Sequence, residues 1–387
     1  MEYHFDQVIN RRGTGSEKWN VPETDLPMWV ADMDFQTAPE IIEALKARVD
    51  HGIFGYTAVP ETWKSAVADW WAERHDFRPS LDSLLFCNGV IPAIDATIRE
   101  MSEQGDQVMV LTPTYNHFFI SIKDNGRVPV ECHLIYEDGQ YALNKADFAA
   151  KAADPKTKIL LMSNPQNPTG NIWDSDTLAW IGEICQANQV LVIADEIHCD
   201  LTDPGYDYVP FASVSEICAQ NSVTCIAPTK TFNIAGVQTA AVIIANETLR
   251  KTIQKAIEVY GASMPNAFAI DAAIAAFTKG GPWLDALRAY LAGNKAFVHD
   301  YLAENLPQVK AVSSHATYLM WLDFSEVTED AREMNRWIRK ETGLFMMPGI
   351  EYGSNGDKFT RLNIACPRAT LIDGLERLVK GVETYGK

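Results

Sequence analysis

The sequence is poor in positive charge and has no long apolar run, and each absence excludes a class of protein. Its 387 residues contain 33 lysines and arginines against 51 aspartates and glutamates, a formal net charge of −18. Nucleic acids and anionic membranes are both bound by clustered cationic side chains, so neither is expected as a partner. No apolar run approaches the length that spans a bilayer. The N-terminus, Met1-Glu-Tyr-His-Phe-Asp, has neither a basic patch nor an apolar stretch, so no secretion signal is expected.

Cysteines are few, and they show no pairing pattern. There are seven, an odd number, and no Cys-x-x-Cys occurs among Cys87, Cys132, Cys185, Cys199, Cys218, Cys225 and Cys366. Wide and irregular spacing of this kind favours free thiols in a reducing compartment and gives no zinc-binding pattern. We therefore expect a cytoplasmic protein without a structural metal.

The composition is that of an ordinary globular protein, with 47% hydrophobic and 22% charged residues. From about residue 83, short apolar runs alternate with helical patterns. The runs are 84–87, 108–111, 128–134, 159–162, 190–194, 223–226 and 240–245. This alternation predicts an α/β fold, in which a mostly parallel seven-stranded sheet is covered by helices on both faces.

The C-terminal part has a different pattern, which predicts a second unit. Long helical patterns follow residue 246, and two further strands are predicted at 318–324 and 359–364. We expect residues 281–387 to form a smaller α+β domain and residues 1–47 to pack with it. Residues 48–280 then form the large domain.

Lys230 lies between two segments that should be buried, the predicted strands 223–226 and 240–245. A lysine is rarely buried unless it is paired or has a chemical role. Desolvation lowers the pKa of an amine and makes it a nucleophile toward carbonyl groups. From this stretch alone, a surface lysine in a loop is an equal alternative.

Other polar residues follow the predicted strands. Asn167 lies at the apex of a turn with two Asn-Pro pairs, and Asp195 ends an apolar strand three residues before His198. Such an Asp is costly unless a cation or donor faces it. Judged locally, the alternative for Asn167 is a plain connecting turn, and the alternative for Asp195 is a helix cap or a salt bridge. No further His or Cys stands at ligand spacing from His198, so a metal site is not expected.

Three further segments suit a charged, flat ligand. Gly89 precedes a predicted helix whose first backbone N–H groups could hold a phosphate. Tyr115 could stack on a ring, and Arg361 could bind a carboxylate through two parallel hydrogen bonds. Taken singly, each has an ordinary structural alternative: a lone glycine, a core aromatic and an ion pair. Together with Lys230, Asp195 and Asn167, these residues match pyridoxal phosphate acting on an amino acid.

Four motifs resemble the fold-type I, class I/II aminotransferase-like enzymes. They are Asn-Pro-x-Asn-Pro-Thr-Gly at 164–170, Ala-Asp-Glu-Ile-His at 194–198, Thr-Lys-Thr-Phe-Asn-Ile-Ala-Gly at 229–236 and Arg-Leu-Asn-Ile-Ala at 361–365. Their order and spacing match over nearly the whole chain. Three stretches further resemble cystathionine β-lyases of the MalY/PatB type, namely 28–35 (Met-Trp-Val-Ala-Asp-Met-Asp-Phe), 55–57 (Gly-Tyr-Thr) and 227–236.

The resemblance implies a role for each candidate residue. Lys230 would hold the cofactor covalently and move the substrate's α-proton, and Arg361, with Asn167 and Ala31, would bind the substrate. The implied cofactor contacts are Asp195 to the pyridine nitrogen, Asn167 to the phenolic oxygen, Tyr115 to the ring face, His198 as a secondary contact, and Gly89, Val90, Ile91 and Thr229 to the phosphate. Tyr56 would reach the phosphate of a neighbouring subunit, which implies a homodimer.

The chain departs from the transaminase pattern near the predicted phosphate. Gln238 stands where transaminases have an arginine, and Ala227 stands where they have a serine. His198 replaces the usual aromatic residue near the carboxylate. The first two departures give the phosphate less support than transaminases provide.

The resemblance implies β-elimination from L-cystathionine and related cysteine S-conjugates, giving a thiol (homocysteine), pyruvate and ammonia. A class I/II aminotransferase is the alternative, since it would share all these residues apart from the lyase-like flanks. A second role as a protein-binding regulator is a further alternative, although no interaction motif supports it.

Overall fold

A computed structural model describes residues 3–386 of the chain. Its helices are α1 (Pro39–His51), α2 (Glu61–His75), α3 (Val90–Met101), α4 (Asn116–Asp124), α5 (Lys145–Ala152), α6 (Ser175–Ala187), α7 (Glu216–Gln220), α8 (Pro228–Thr231), α9 (Glu247–Val259), α10 (Ala269–Lys279), α11 (Gly281–Asn305), α12 (Ala331–Thr342) and α13 (Arg368–Thr384). Its strands are β1 (Leu26–Pro27), β2 (Leu84–Cys87), β3 (Gln107–Thr112), β4 (Val128–His133), β5 (Ile135–Glu137), β6 (Gln140–Ala142), β7 (Thr157–Ser163), β8 (Leu191–Asp195), β9 (Ser222–Ile226), β10 (Ala240–Ile243), β11 (Lys310–Ala311), β12 (Leu319–Asp323), β13 (Leu344–Phe345), β14 (Met347–Pro348) and β15 (Phe359–Asn363).

The central sheet confirms the predicted α/β fold. Seven strands lie in the order β2-β10-β9-β8-β7-β3-β4, and only β10 runs antiparallel to its neighbours. Every residue of β8 and β9 is buried, as expected of parallel strands whose two faces are both covered. Helices α3 and α9 cover one face, while α5 and α6 cover the other.

The strand directions bring the predicted polar residues to one edge of the sheet. Asp195 closes β8, and it pairs in register with Ser163 at the end of β7 and with Cys225 near the end of β9. Strand β2 points the same way, because it is antiparallel to β10, which is itself antiparallel to β9. The turns that follow β2, β3, β7, β8 and β9 therefore converge at this edge.

A second, smaller sheet lies in the C-terminal part, with the order β11-β12-β15-β14 and every pair antiparallel. Helix α12 packs against β14 and β15. Strand β1 pairs in parallel with β13, so that Leu26 lies opposite Leu344. On this basis we propose the predicted division into domains. Residues 1–47 and 281–387 form the smaller domain, and residues 48–280 form the large domain.

Some elements differ from the prediction or were missed. The helical patterns predicted after residue 246 are interrupted before Ala269, where α10 begins, because the Asn266 side chain accepts the backbone N–H of Phe268 and forms a turn first. The sequence analysis expected helices after residue 246 but gave no bounds for α9, whose first turn is capped by the Asn246 side chain. It also missed the hairpin β5–β6, whose strands of three residues are too short to show a pattern.

Among residues 3–386, no helix combines the length and the apolar character needed to cross a membrane.

Candidate active site

A cavity of about 360 Å³ opens at the edge of the sheet where the strand ends converge. All of the predicted site residues line it except Tyr56 and Arg361. Those lining it are Ala31, Gly89, Val90, Ile91, Tyr115, Asn167, Asp195, His198, Thr229 and Lys230. The volume lies at the lower end of the range of small-molecule sites, about 300–1,000 Å³.

Lys230 reaches this cavity from α8, the single turn that follows β9. Its Nζ donates a hydrogen bond of 2.7 Å to the backbone carbonyl of Ala31. Burial and the positive charge of Arg361 together lower the pKa of Lys230 to about 8, against the opposing charges of Asp32 and Asp195. At pH 7 about one tenth of the amine is then neutral, far more than for an ordinary lysine.

The lowered pKa of Lys230 predicts how the ligand-free chain reacts with an aldehyde. Only the neutral amine is nucleophilic, so the condensation rate should rise with pH and level off above pH about 8. Stopped-flow absorbance after addition of pyridoxal phosphate, from about pH 6 to about pH 9.5, measures this. Lys230→Ala serves as the blank. A midpoint near the ordinary lysine value of 10.5 would contradict the burial argument.

Asp195 supplies a buried carboxyl group on the same cavity wall. One of its oxygens accepts the backbone N–H of Ile197 at 3.2 Å. Burial outweighs the opposing effects of this N–H and of the charge of Lys230, and raises the pKa of Asp195 to about 7. A cation facing the carboxyl group from the cavity would offset the cost of burial. The site therefore suits a protonated ring nitrogen.

Asn167 and Arg361 are joined directly. Nη1 of Arg361 donates to Oδ1 of Asn167 at 3.3 Å, and Nη2 donates to the carbonyl of Trp29 at 2.7 Å. Because Oδ1 of Asn167 accepts this bond, its amide nitrogen remains as the donor on the cavity side. The guanidinium also lies 4.9 Å from the ring centre of Tyr352. Arg361 thus borders the cavity through Asn167, and its remaining N–H groups suit a carboxylate.

The opposite end of the cavity suits a phosphate. Helix α3 begins at Val90, and the first N–H groups of a helix have no partner within it. Thr229 adds a hydroxyl from the Lys230 turn. The side-chain oxygens of Asn88 and Thr239 are buried on the same wall, and neither has a hydrogen-bond partner within residues 3–386. An anion bound there could not accept from Asn88 Oδ1, but the Thr239 hydroxyl could donate to it.

His198 and Tyr115 complete the walls. His198 is buried, and its Nδ1 has no partner in the described part of the chain. Burial, together with the positive charges of Lys230 and Arg361, lowers the pKa of His198 to about 3, so the imidazole is neutral. Tyr115 lines the cavity next to the predicted ring position, with the ring of His117 stacked at 5.8 Å. These two side chains provide a neutral, flat environment.

Tyr56 lies away from this cavity, on the loop between α1 and α2, and it is 96% exposed. Within one chain it does not join the other predicted residues. Its predicted role across subunits stays a prediction.

The sequence analysis missed Asp200, whose carboxylate is hydrogen-bonded to the turn that carries Lys230. Its carboxylate accepts hydrogen bonds from Trp70 Nε1 (2.9 Å) and Thr231 Oγ1 (2.9 Å), and it lies 3.0 Å from His75 Nε2. Thr231 is next to Lys230 in α8, so Asp200 anchors the turn that carries the amine. The available signal was a third acidic residue, after Asp195 and Glu196, in a largely buried stretch.

The residues present fit pyridoxal phosphate. The cavity offers an amine for an aldehyde, a buried carboxyl group for a ring nitrogen, an amide for a phenolic oxygen and a helix start for a phosphate. His198, whose Nδ1 has no hydrogen-bond partner within residues 3–386, also lines this cavity. None of the charged groups among the residues that line the cavity is incompatible with pyridoxal phosphate.

Comparisons with known proteins agree with the geometry. The family model "Aminotransferase class I and II" matches residues 26–378. Cystathionine beta-lyase PatB of Bacillus subtilis is 42% identical over 97% of this chain and 98% of its own length. Protein MalY of Escherichia coli is 33% identical over 98% of this chain and 99% of its own.

A solved structure gives the same result. The structure of cystalysin from Treponema denticola, which contains a pyridoxal 5'-phosphate cofactor, superposes with a TM-score of 0.95 at 34% identity. The match covers 99% of each chain. The chain therefore belongs to the class I and II aminotransferase family.

Proposed function

We propose that the protein is a pyridoxal-phosphate-dependent carbon–sulfur lyase. It would cleave L-cystathionine and related cysteine S-conjugates by β-elimination, giving a thiol (homocysteine from cystathionine), pyruvate and ammonia. One observation carries the proposal: a single cavity unites the amine of Lys230 and the carboxyl group of Asp195 with Asn167, which holds Arg361. The names of the relatives and of the structural neighbour, cystathionine beta-lyase and cystalysin, support the choice of reaction.

When bound, pyridoxal phosphate supplies an aldehyde for the substrate amine and a protonated ring that accepts electrons from Cα. The protein supplies the rest. Arg361 binds the α-carboxylate and so fixes which bond at Cα faces Lys230. The amine of Lys230, with a pKa lowered by burial, takes the Cα proton as a general base. Asp195 keeps the ring nitrogen protonated.

Elimination then breaks the bond between Cβ and sulfur. The electron pair leaves with the sulfur as a thiolate, to which the protonated Lys230 can donate its proton. Water completes the conversion of the remaining three-carbon unit to pyruvate and ammonia. The neutral imidazole of His198 and the ring of Tyr115 line the cavity in which this would occur.

A substrate panel tests the proposal. Purified enzyme is offered L-cystathionine, S-methyl-L-cysteine, S-phenyl-L-cysteine and, as a matched oxygen analogue, O-methyl-L-serine. Pyruvate is measured in each case. We expect pyruvate from the thioethers, fastest with the most acidic leaving thiol, and much less from the oxygen analogue. Absence of pyruvate from every thioether would overturn the proposal.

We also propose that the active unit is a homodimer in which Tyr56 completes the partner's phosphate site. The loop that carries Tyr56 exposes neighbouring apolar side chains, Ile53 at 66% and Phe54 at 54%. Apolar groups clustered on an exposed loop favour a protein interface. A tyrosine that is 96% exposed beside them suits a hydroxyl that acts in another subunit.

Hybrid dimers test this role of Tyr56. Tyr56→Ala and Lys230→Ala should each be poorly active alone. After unfolding and refolding together, half of the dimers would be hybrids with one intact site, so activity should recover to roughly a quarter of the wild type. Tyr206→Ala, at another exposed tyrosine, is the control and should be fully active. A mixture no more active than the sum of its parents would contradict action across subunits.

We propose a cytoplasmic location. All seven cysteines are free thiols, and all are buried. Thiols in this state suit a reducing compartment.

A further inference from the structure

Residues 29–35, called here the N-terminal strap, have no regular structure, and Ala31 within them lines the active-site cavity. Two of its backbone carbonyls bind the residues to which the proposed function assigns the chemistry. The carbonyl of Trp29 accepts from Nη2 of Arg361 at 2.7 Å. The carbonyl of Ala31 accepts from Nζ of Lys230 at 2.7 Å and from the hydroxyl of Tyr318 at 3.0 Å. The strap therefore touches both ends of the substrate site.

Two asparagines fasten the strap to the two sides of the site. Asn363, two residues after Arg361, donates from Nδ2 to the carbonyls of residues 30 and 32, both at 2.6 Å. Asn233, three residues after Lys230, donates from Nδ2 to the carbonyls of residues 33 and 35, both at 2.9 Å, and accepts the N–H of Met33 at 2.9 Å. The strap is thus hydrogen-bonded both to the segment that follows α8, which carries Lys230, and to β15, which carries Arg361.

A buried charge cluster holds the outer side of the strap. The carboxylate of Asp34 accepts from Lys18 Nζ at 2.8 Å, Arg11 Nη1 at 2.7 Å and Trp19 Nε1 at 2.8 Å. The side chains of Lys18 and Asp34 are 1% and 6% exposed. Neither residue lines the cavity of about 360 Å³. Their contacts act on the strap and not on a ligand.

The cluster contains as many cations as carboxylates, and each charged group in it has an oppositely charged partner. Arg11 also holds both oxygens of Asp32, at 3.0 and 2.6 Å, so that two cations face two carboxylates. Burial alone would raise the pKa of Asp34, but Lys18, Trp19 and Arg11 outweigh it, so the carboxylate stays ionised. Removal of one partner leaves another buried charge uncompensated. The strap segment next to that charge would then move or become solvated.

We propose that Lys18 and Asp34 are positioning residues for amino-acid capture: their buried ion pair fixes the N-terminal strap, and the strap fixes the guanidinium of Arg361. The inference rests on the proposed function for the role of Arg361 as the carboxylate-binding group. Two parallel hydrogen bonds to a carboxylate depend strongly on orientation. A strap that has shifted withdraws the Trp29 carbonyl and leaves the guanidinium free to turn away.

The cofactor end of the site should be much less sensitive to the strap. Lys230 sits on α8, which Asp200 anchors independently through Thr231. The predicted phosphate site lies on α3 and on Thr229, which belong to the large sheet's edge. Loosening the strap should therefore affect the binding of the amino acid more than that of the cofactor.

Asp34→Asn tests the inference, because it keeps the shape of the side chain and removes its charge. In the holoenzyme we expect KM to rise by about tenfold or more, while kcat changes by less than about threefold. The dissociation constant for L-alanine, which has no leaving group and is followed through the cofactor absorbance, should rise in parallel. Hydrogen exchange at the amides of Met33 and Asp34 should accelerate, because the hydrogen bonds of these two N–H groups help to hold the strap in place.

Lys295→Met is the matched control. Lys295 is also a buried lysine in an ion pair, with Asp203 at 2.7 Å, but it lies outside the strap. Its loss should lower stability and leave KM and the strap amides unchanged. If Asp34→Asn does not fold, Arg11→Gln, at the part-exposed edge of the cluster, should give the same pattern of effects.

Two results would overturn the inference. One is an unchanged KM and L-alanine affinity despite faster exchange in the strap. The other is unchanged exchange at Met33 and Asp34. Failure of the proposed function is distinguishable, since a wild type without lyase activity still reports L-alanine binding and amide exchange. The Lys295→Met control adds a third such result: weaker L-alanine binding by this variant to the same extent would count against the strap.

Discussion

Lys230→Ala is expected to abolish turnover, with kcat reduced by about 10⁴-fold or more. Lys230 supplies the amine on the cavity wall, and burial there lowers its pKa to about 8, which suits both attack on an aldehyde and proton transfer at Cα. The substitution removes both functions at once. The purified variant should also lack the absorbance band of a cofactor bound to lysine. Kinetics with L-cystathionine and an absorption spectrum measure the two effects.

The control and a chemical rescue make the Lys230 prediction sharper. Lys295→Ala removes another buried lysine, one paired with Asp203 away from the cavity, and should retain the band and the activity. A small primary amine such as methylamine should restore part of the turnover of Lys230→Ala, because the space left by the side chain can admit it. Retention of more than about one hundredth of wild-type kcat without added amine would exclude Lys230 as the base.

Asp195→Asn should be the second most damaging change, with kcat lowered by about 10²- to 10³-fold. The amide has the same shape as the carboxyl group but carries no negative charge. It therefore cannot hold a proton on a facing ring nitrogen, which makes the ring a weaker acceptor of electrons. The cofactor should still bind through Lys230 and the phosphate site, so the spectrum should keep a band while turnover falls.

Glu196→Gln is a close control for Asp195→Asn. Glu196 is the next residue and equally buried, but its side chain points to the hydroxyl of Tyr208 and the N–H of Phe211. Burial raises the pKa of Glu196 to about 8, so it is mostly protonated at pH 7, and glutamine resembles that form. We expect its kcat within about threefold of the wild type. Equal losses in the two variants would mean that Asp195 acts through packing alone.

The central sheet was predictable because parallel strands buried on both faces are continuous apolar runs in the sequence. The predicted runs at 84–87 and 223–226 correspond to β2 and β9. The candidate site was also predictable from the sequence, because polar residues that follow parallel strands must meet at one edge of the sheet. Asp195 and Asn167 confirm this geometry, since both line one cavity.

The strap was not predictable, since backbone carbonyls of irregular segments have no sequence pattern. Asn233 and Asn363 look like ordinary polar residues in the sequence, yet each binds two carbonyls of residues 30–35. Asp34 and Lys18 are separated by sixteen positions in a turn-rich segment, and only the fold places them together. The role proposed for Tyr56 requires a second chain, and the sequence of one chain does not show how two chains would pack.

Turnover of L-cystathionine in the complete absence of a 2-oxo acid tests the central claim most directly. A β-lyase needs no amino-group acceptor, so thiol and pyruvate should appear in equal amounts, linearly with time and over many turnovers for each active site. A transaminase would stop after one half-reaction until a 2-oxo acid is added. Release of thiol and pyruvate that depends on an added 2-oxo acid, or consumption of cystathionine without thiol release, would contradict the account.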